Sequence, residues 1–545
     1  MKTASKPSRE PAARRRTTWG LITALLVTLL TSWCVPARAA DGERHLRIGM
    51  GADVTSIDPH FANIAPNNAV GWHVFDALAN VDADTRLIPG LATAWRTIDD
   101  LTWEFTLRRG VKFHDGSDFD ANDVVATYKR VPWVPNSPSS YAGFVRPIVE
   151  ATIVDPHTLR LRTAAPAPLL PTMLSAVNIV SRKAVEAPTA DFNSGRSAIG
   201  TGPFRFSEFV PNDRVVLVRN DAYWGDRPAW SKVTLKLISN NSARTAALLA
   251  GDVQMIEAVP SADLPRLRAN AQITLHRTTS NRVIYLAFDQ ARDQTPFATD
   301  KAGAVLPNNP FKDVRVRQAI SKAINRAGIV DRVFEGDAIA AGGLLPEGSF
   351  GASAKLKPDA LDADGARALL AAAGYPNGFA MTLHGPNDRY PNDERVLQAI
   401  GPMLTRIGID TKVVTLPWAI YATQASAPSF AFSVMLFGWG SNTGEVSDSM
   451  RSLLATPNRD KGMGASNRGR YGNPRVDQTL EKALATVDDR ERERLLFEAS
   501  ELAIGAEAGI VPLYYQVNTW ATRRGVTYAP RQDEYSLAQF VRPTN

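Results

Sequence analysis

From about residue 310 onward the chain alternates between two hydrophobic periods, and this alternation constrains the fold more than any other feature. Asp313 stands where it can cap a helix whose Val316, Ile320, Ala323 and Ile324 share one side. The pattern returns at 326–336 behind Asn325, at 362–373, and at 393–407 through Val396, Leu397, Ile400, Leu404 and Ile407. Short strand-type runs lie between these helices at 381–384, 409–415 and 433–437. Helices alternating with strands predict an α/β architecture with a mostly parallel sheet in this half. Two more helices, at 476–487 and 491–504, and a final long strand at 510–518 complete it.

The first half carries more strand signal. Trp103, Phe105 and Leu107 alternate with Thr102, Glu104 and Thr106, the mark of a half-buried strand. Asp120 then caps a helix with Val124, Val125 and Tyr128 inside it. Further strands are expected at 46–50, 158–161, 214–219, 233–238 and 253–256, with helices at 67–78 and 242–250. At 545 residues the chain is too long for one core and divides into two or more lobes.

The formal net charge of +7 is mostly local. Residues 1–39 hold Lys2, Lys6, Arg9, Arg14, Arg15, Arg16 and Arg38 against Glu10, so the remainder is close to neutral and offers no case for a nucleic-acid partner. The same segment reads as a secretory signal: a basic region, an apolar stretch from Trp19, and Ala37-Arg38-Ala39, with cleavage expected after Ala39. Its apolar core is short for a membrane anchor. The only cysteine, Cys34, lies within it, so the mature chain has no disulfide, thiol nucleophile or thiolate metal site. No later apolar run approaches the length of a spanning helix. The mature protein is expected to be exported, periplasmic and soluble.

Catalytic constellations are sparse. There is no phosphate-binding Gly-x-x-x-x-Gly-Lys loop, no Gly-x-Ser-x-Gly elbow and no His-Glu-x-x-His. The seven histidines are isolated, so neither a metal site nor a cofactor is expected. Binding features are better represented. The apolar run 433–437 opens into Gly438, Trp439, Gly440, Ser441, Asn442, Thr443 and Gly444: one aromatic and three small hydrogen-bonding groups, the composition of a ligand-facing loop. The alternative is a tight turn with Trp439 folded into the core. A second strand ends in Asn387-Asp388-Arg389-Tyr390, where Arg389 can fork onto a ligand carboxylate or stand solvated at a helix entrance.

Several motifs together resemble a known family. They are 103–116, running on to Ala121-Asn122-Asp123-Val124; Ser56-Ile57-Asp58-Pro59-His60; Gly200-Thr201-Gly202-Pro203-Phe204; Arg219-Asn220 with Tyr223-Trp224; 313–320; Leu369-Leu370 with Ala373-Gly374-Tyr375; Tyr471-Gly472-Asn473-Pro474 with Asp477; and Pro512-Leu513-Tyr514-Tyr515. In this order they cover nearly the whole chain after the leader. The chain thereby resembles the family 5 extracellular solute-binding proteins of ABC importers, the dipeptide- and oligopeptide-binding group.

The resemblance implies a two-lobed periplasmic binding protein fold, type II-like and of cluster C, with a ligand cleft between the lobes. Lobe I is expected at 40–285 plus 517–545, with an extra subdomain at about 86–199, and lobe II at 286–516. The chain is expected to cross between them near 285–289 and 515–519. It implies capture of peptides or related amino-acid-derived solutes, without catalysis, by a monomer that delivers them to an inner-membrane permease with its ATPase subunits. Other members carry opines, glutathione-like compounds, sugars or metal chelates. A secreted hydrolase, or a binding protein serving a chemoreceptor or chaperone, are the remaining alternatives. The expected ligand residues are Trp439, Asn442, Ser441, Arg389 and Tyr390. One departure stands out. In the family's peptide binders an aspartate in the loop after Gly-Trp pairs with the peptide amine; here Asn442 takes that place, and an uncharged amide gives a buried ammonium no charge partner. Glu445, three residues on, is the nearest alternative carboxylate.

Overall fold

The computed structural model describes residues 44–441 and 443–544; the leader with its cleavage site, and Asn442, lie outside the described residues. From Glu43 onward the chain forms one compact unit. Its framework is a twelve-stranded sheet. At one end His45–Met50 pairs in parallel with Lys232–Leu237 and Met255–Ile256, and the sheet continues antiparallel through Arg214–Arg219 to Phe204–Val210. At the other end Phe379–Pro386 lies parallel to Ile409–Leu416 and Val434–Gly440. Two long antiparallel strands, Ile273–Phe288 and Ile510–Arg523, join the ends.

The second half is therefore a mixed sheet, which corrects the mostly parallel one expected. Its pairings to the long strands, to Ala298–Thr299 and to Ala338–Ala340 are antiparallel. A parallel pair needs a crossover, supplied here by helices such as Asp393–Thr405; the antiparallel pairings to the long strands need none.

The buried side chains fall into two groups. Leu46, Ile48, Phe75, Phe204, Leu235, Leu264, Trp520 and Ala521 belong to cores of the first half. Ile284, Leu286, Phe288, Leu383, Leu436, Leu513 and Tyr515 belong to cores of the second. The long strands pass from one group to the other across 276–282 and 516–519. Tyr285 lies within the second core.

A separate antiparallel sheet of Ala92–Asp99, Thr102–Leu107, Thr158–Thr163 and Ile148–Asp155 packs Phe105, Leu159 and Leu161 inward. Its other face carries an Arg96–Glu104–Arg160 ladder, at 2.6 and 2.8 Å. The conspicuous 103–123 stretch thus builds scaffold. The anticipated caps form: Asp120 with Asp123 as a capping box, Asp313 and Asn325; Asp362, expected as the first residue of its helix, caps it. The expected loop at Gly438 begins later. Residues 438–440 continue the strand, opposite Ile284, Val283 and Arg282, because the neighbouring long strand offers a full ladder.

Candidate functional site

Between the two groups of cores lies a cavity of about 780 Å³. The first half contributes Met50, Ala52, Arg244, Glu257 and Ser261, and the second contributes Phe334, Asp337 and 387–395. The crossing strands and the C-terminal segment supply Arg282, 516–519, Glu534, Tyr535 and Ser536. A chamber of this size, bounded by both halves and lined by a mixture of aromatic, amide and charged groups, suits a small polar solute.

Of the five expected ligand residues, the structure brings Arg389 and Tyr390 to this cavity. They sit in the turn before helix Asp393–Thr405, where both backbone N–H groups donate to Asp393 Oδ2 at 3.0 Å. Tyr390 is buried; its hydroxyl donates to the Gly438 carbonyl at 3.3 Å, and burial pushes its pKa up. That approach needs a glycine, since a Cβ at Gly438 would stand 2.8 Å from the Tyr390 ring. Arg389 is exposed, with its guanidinium 5.2 Å from the Tyr390 ring centre and 5.5 Å from that of Trp418. Two aromatic faces thus steady a cation in the chamber.

Trp439 and Ser441 are not among the residues lining the cavity. Trp439 is half-buried against the second core, and its Nε1 is enclosed without a hydrogen-bond partner. The Ser441 hydroxyl donates to the Glu445 carbonyl at 3.0 Å, while Asn281 Nδ2 donates to the Ser441 carbonyl at 2.9 Å. Asn442 lies outside the described residues. Glu445 is committed elsewhere: Arg492 Nη1 donates to both its carboxylate oxygens, at 2.9 and 2.7 Å, and Ser447 adds a third bond. Both side chains are 8 % exposed, and burial pushes the Glu445 carboxyl up against the pull of Arg492.

Sequence reasoning missed four cavity residues. Arg282 and Glu534 form an ion pair in the wall, and the carboxylate beside Arg282 raises its pKa. Glu257 accepts from the Gly51 N–H at 2.9 Å and from Ser536 Oγ at 2.6 Å, and Ser536 Oγ in turn accepts from Trp520 Nε1 at 2.8 Å. Burial raises the Glu257 pKa. Asn392, with φ +55°, donates to Ser261 Oγ at 2.9 Å and so joins the second half to the first across the cavity. The polar triplet 280–282, which interrupts an otherwise strand-like run, is a signal for Arg282; Glu257, Asn392 and Glu534 carry none. Among the described residues no group of three or more His, Cys, Asp or Glu is placed to hold a metal ion, and no helix is long and apolar enough to cross a membrane.

Comparison with known proteins matches residues 86–461 to the model of the bacterial extracellular solute-binding proteins, family 5 Middle. The glutathione-binding protein GsiB of Salmonella paratyphi A is 29 % identical over 499 residues, covering 90 % of this chain and 92 % of that one. HbpA2 from Haemophilus parasuis superposes with a TM-score of 0.77 at 23 % identity, over 92 % of this chain and all of the other. The periplasmic binding protein DppA from Helicobacter pylori, solved with the peptide STSA, gives 0.70 at 24 % identity, over 92 % and 98 %.

Proposed function

The chain belongs to the family 5 bacterial extracellular solute-binding proteins, and from that premise we propose that it captures peptides or related amino-acid-derived solutes in the cavity between its lobes. The observation that carries this reading is the chamber itself. It is walled by both halves, and the chain crosses between them on two long strands. A solute held there touches both lobes only when they are together, so binding favours that arrangement. No bond is made or broken, and the absence of a recognisable catalytic set in the sequence fits that role.

In this reading lobe I is the group of cores built from the N-terminal half and the C-terminal segment, with 86–199 as its added subdomain; lobe II is the second group. Arg389, steadied on Tyr390 and Trp418, forks onto a ligand carboxylate. Trp439 and Ser441 follow Gly438, whose carbonyl holds the Tyr390 hydroxyl, and stand behind that contact. The leader exports the chain to the periplasm, cleavage follows Ala39, and the loaded monomer is read by an inner-membrane permease driven by its ATPase subunits. A non-peptide solute of the same chemical kind is the second reading. It is favoured by Asn442 in place of a carboxylate and by the glutathione-binding relative.

Mass spectrometry of the compound that co-purifies with the mature protein tests the proposal, supported by thermal-shift screening of dipeptides, tripeptides, glutathione and opines. Retention of an unmodified peptide or amino-acid-derived compound supports it. Turnover of that compound overturns the binding-only reading, and binding of none of these classes overturns the solute assignment.

A further inference from the structure

Two irregularities of the backbone converge on one ion pair in the cavity wall. The first is in the long strand Ile273–Phe288. Thr279 lies opposite Val517 and Val283 opposite Tyr515, so 280–282 face only Gln516, a bulge of the kind that re-aims a side chain. On the strand's other edge Arg282 stays opposite Gly440, and a Cβ there would come within 3.2 Å of the guanidinium. The second irregularity is Glu534, a non-glycine residue at φ +70°. A conformation of this kind costs on the order of 1 kcal/mol and persists where the surroundings impose it. Here the surroundings are the bulge and its partner strand: Asn281 N and Asn518 Nδ2 both donate to the Gln532 carbonyl, at 3.3 and 3.1 Å.

The pair so produced is loosely made. Arg282 Nε stands 3.2 Å and Nη2 3.5 Å from the Glu534 oxygens, and Ser280 Oγ is 3.2 Å away. Tight charge-assisted bonds are shorter. The side chains are 20 % and 32 % exposed, with both residues on the cavity. Adjacent opposite charges held apart, with room before them, match a group that carries both charges on one carbon.

Resting on the reading of this cavity as the solute site, we propose that Arg282 and Glu534 receive a free α-amino-acid head. The ligand ammonium lies on Glu534 and its α-carboxylate on Arg282. The substrate class is then a solute such as a γ-glutamyl peptide, which bears both charges at one end. An ordinary peptide offers only the ammonium there and leaves Arg282 without a second anion. Glu257 lines the same cavity, its carboxylate held by the Gly51 N–H and Ser536 Oγ.

The test is calorimetric titration of the mature protein with S-methylglutathione and with its α-glutamyl isomer, alongside the variants Glu534→Gln and Arg282→Gln. The wild type is expected to prefer the γ-linked compound by about ten-fold or more; Arg282→Gln is expected to lose that preference while keeping its affinity for the α-linked isomer, and Glu534→Gln, which removes the ammonium partner of both compounds, is expected to weaken both. Retained α-isomer binding also reports that Arg282→Gln is folded, and a thermal melt reports it for Glu534→Gln. Equal affinity of the wild type for both isomers, a γ-preference that survives in folded Arg282→Gln, or undiminished binding of both compounds by folded Glu534→Gln overturns the head-group assignment and leaves the peptide reading standing. Failure of the wild type to bind either compound overturns the head-group assignment, and the peptide reading falls with it only if the dipeptides, tripeptides and opines of the wider screen also fail to bind.

Discussion

Two Arg–Glu pairs stand near the same strand end and differ in almost every physical respect. Arg492–Glu445 is sealed at 8 % exposure, made at 2.7–2.9 Å, and capped by Ser447 and by Phe350, whose ring centre lies 4.3 Å from the guanidinium. Arg282–Glu534 is open to a cavity and made at 3.2–3.5 Å. The first fixes the loop after Val434–Gly440, and neither partner is available to a solute. The second sits on backbone that departs from regular geometry and leaves both partners facing space. The distinction between structure and recognition lies in satisfaction and access; both pairs have the same composition.

The largest effect that would break this contrast is on stability. Glu445→Ala leaves Arg492 buried beside Asp489 as its one remaining acid and is expected to lose about 3–5 kcal/mol in denaturant unfolding. A loss below about 1 kcal/mol would place this pair with ordinary surface bridges.

Acid sharpens the contrast next, because the sealed pair is not where acid strikes first. His60, His73, His114 and His384 are each held down to about 4 from 6.5, mainly by burial. A lowered histidine pKa means that the fold binds fewer protons than the unfolded chain. The stability it supports is whole above pH 6.5 and is lost as pH falls towards 4. His73 shows why: Nδ1 bonds the Ala69 carbonyl at 2.7 Å while Nε2 accepts from the Ala538 N–H at 2.9 Å, so a second proton has nowhere to go. His73→Gln is expected to flatten the fall of unfolding free energy across that window, by up to roughly 3 kcal/mol in denaturant unfolding. An unchanged slope would remove His73 from the account. Glu445, with its pKa raised, takes a proton more readily folded than unfolded, so it does not add to that fall.

On binding, Arg389→Ala is expected to weaken a carboxylate-bearing ligand about ten- to hundred-fold by calorimetry, with the melt unchanged. A melt that collapses would make Arg389 part of the scaffold. The smallest effect is on the stability of Glu534→Gln, expected to stay within about 1 kcal/mol of wild type. A loss as large as that of Glu445→Ala would erase the distinction between the pairs.

Much of the fold was legible because its helices announce themselves: Asp120, Asp313, Asn325 and Asp362 cap where a short polar side chain precedes an apolar stripe. The two long strands were harder. Residues 273–288 alternate only in part and carry a polar triplet in mid-strand, so their role as the bridge between halves depends on pairing partners more than two hundred residues away. The site was half legible. Arg389 and Tyr390 lie at the end of a readable strand. Glu534 lies in a C-terminal segment without period, and only the bulge at 280–282 gives it a partner. Trp439 and Ser441 had the right chemistry for a ligand loop, but the strand ran on through Gly440 and turned both towards the protein.

The hydrogen bond from Asn392 to Ser261 has a consequence for how this protein waits. It is made by protein atoms alone, so it favours this arrangement of the halves whether or not a solute is held. A net contribution of about 1 kcal/mol multiplies the ratio of shut to open molecules roughly five-fold. Under the closure proposed above, solute affinity rises by up to the same factor, and so does the fraction of empty molecules in the shut form. A variant such as Ser261→Ala would trade tightness for a cleaner signal, binding more weakly but reporting occupancy more faithfully.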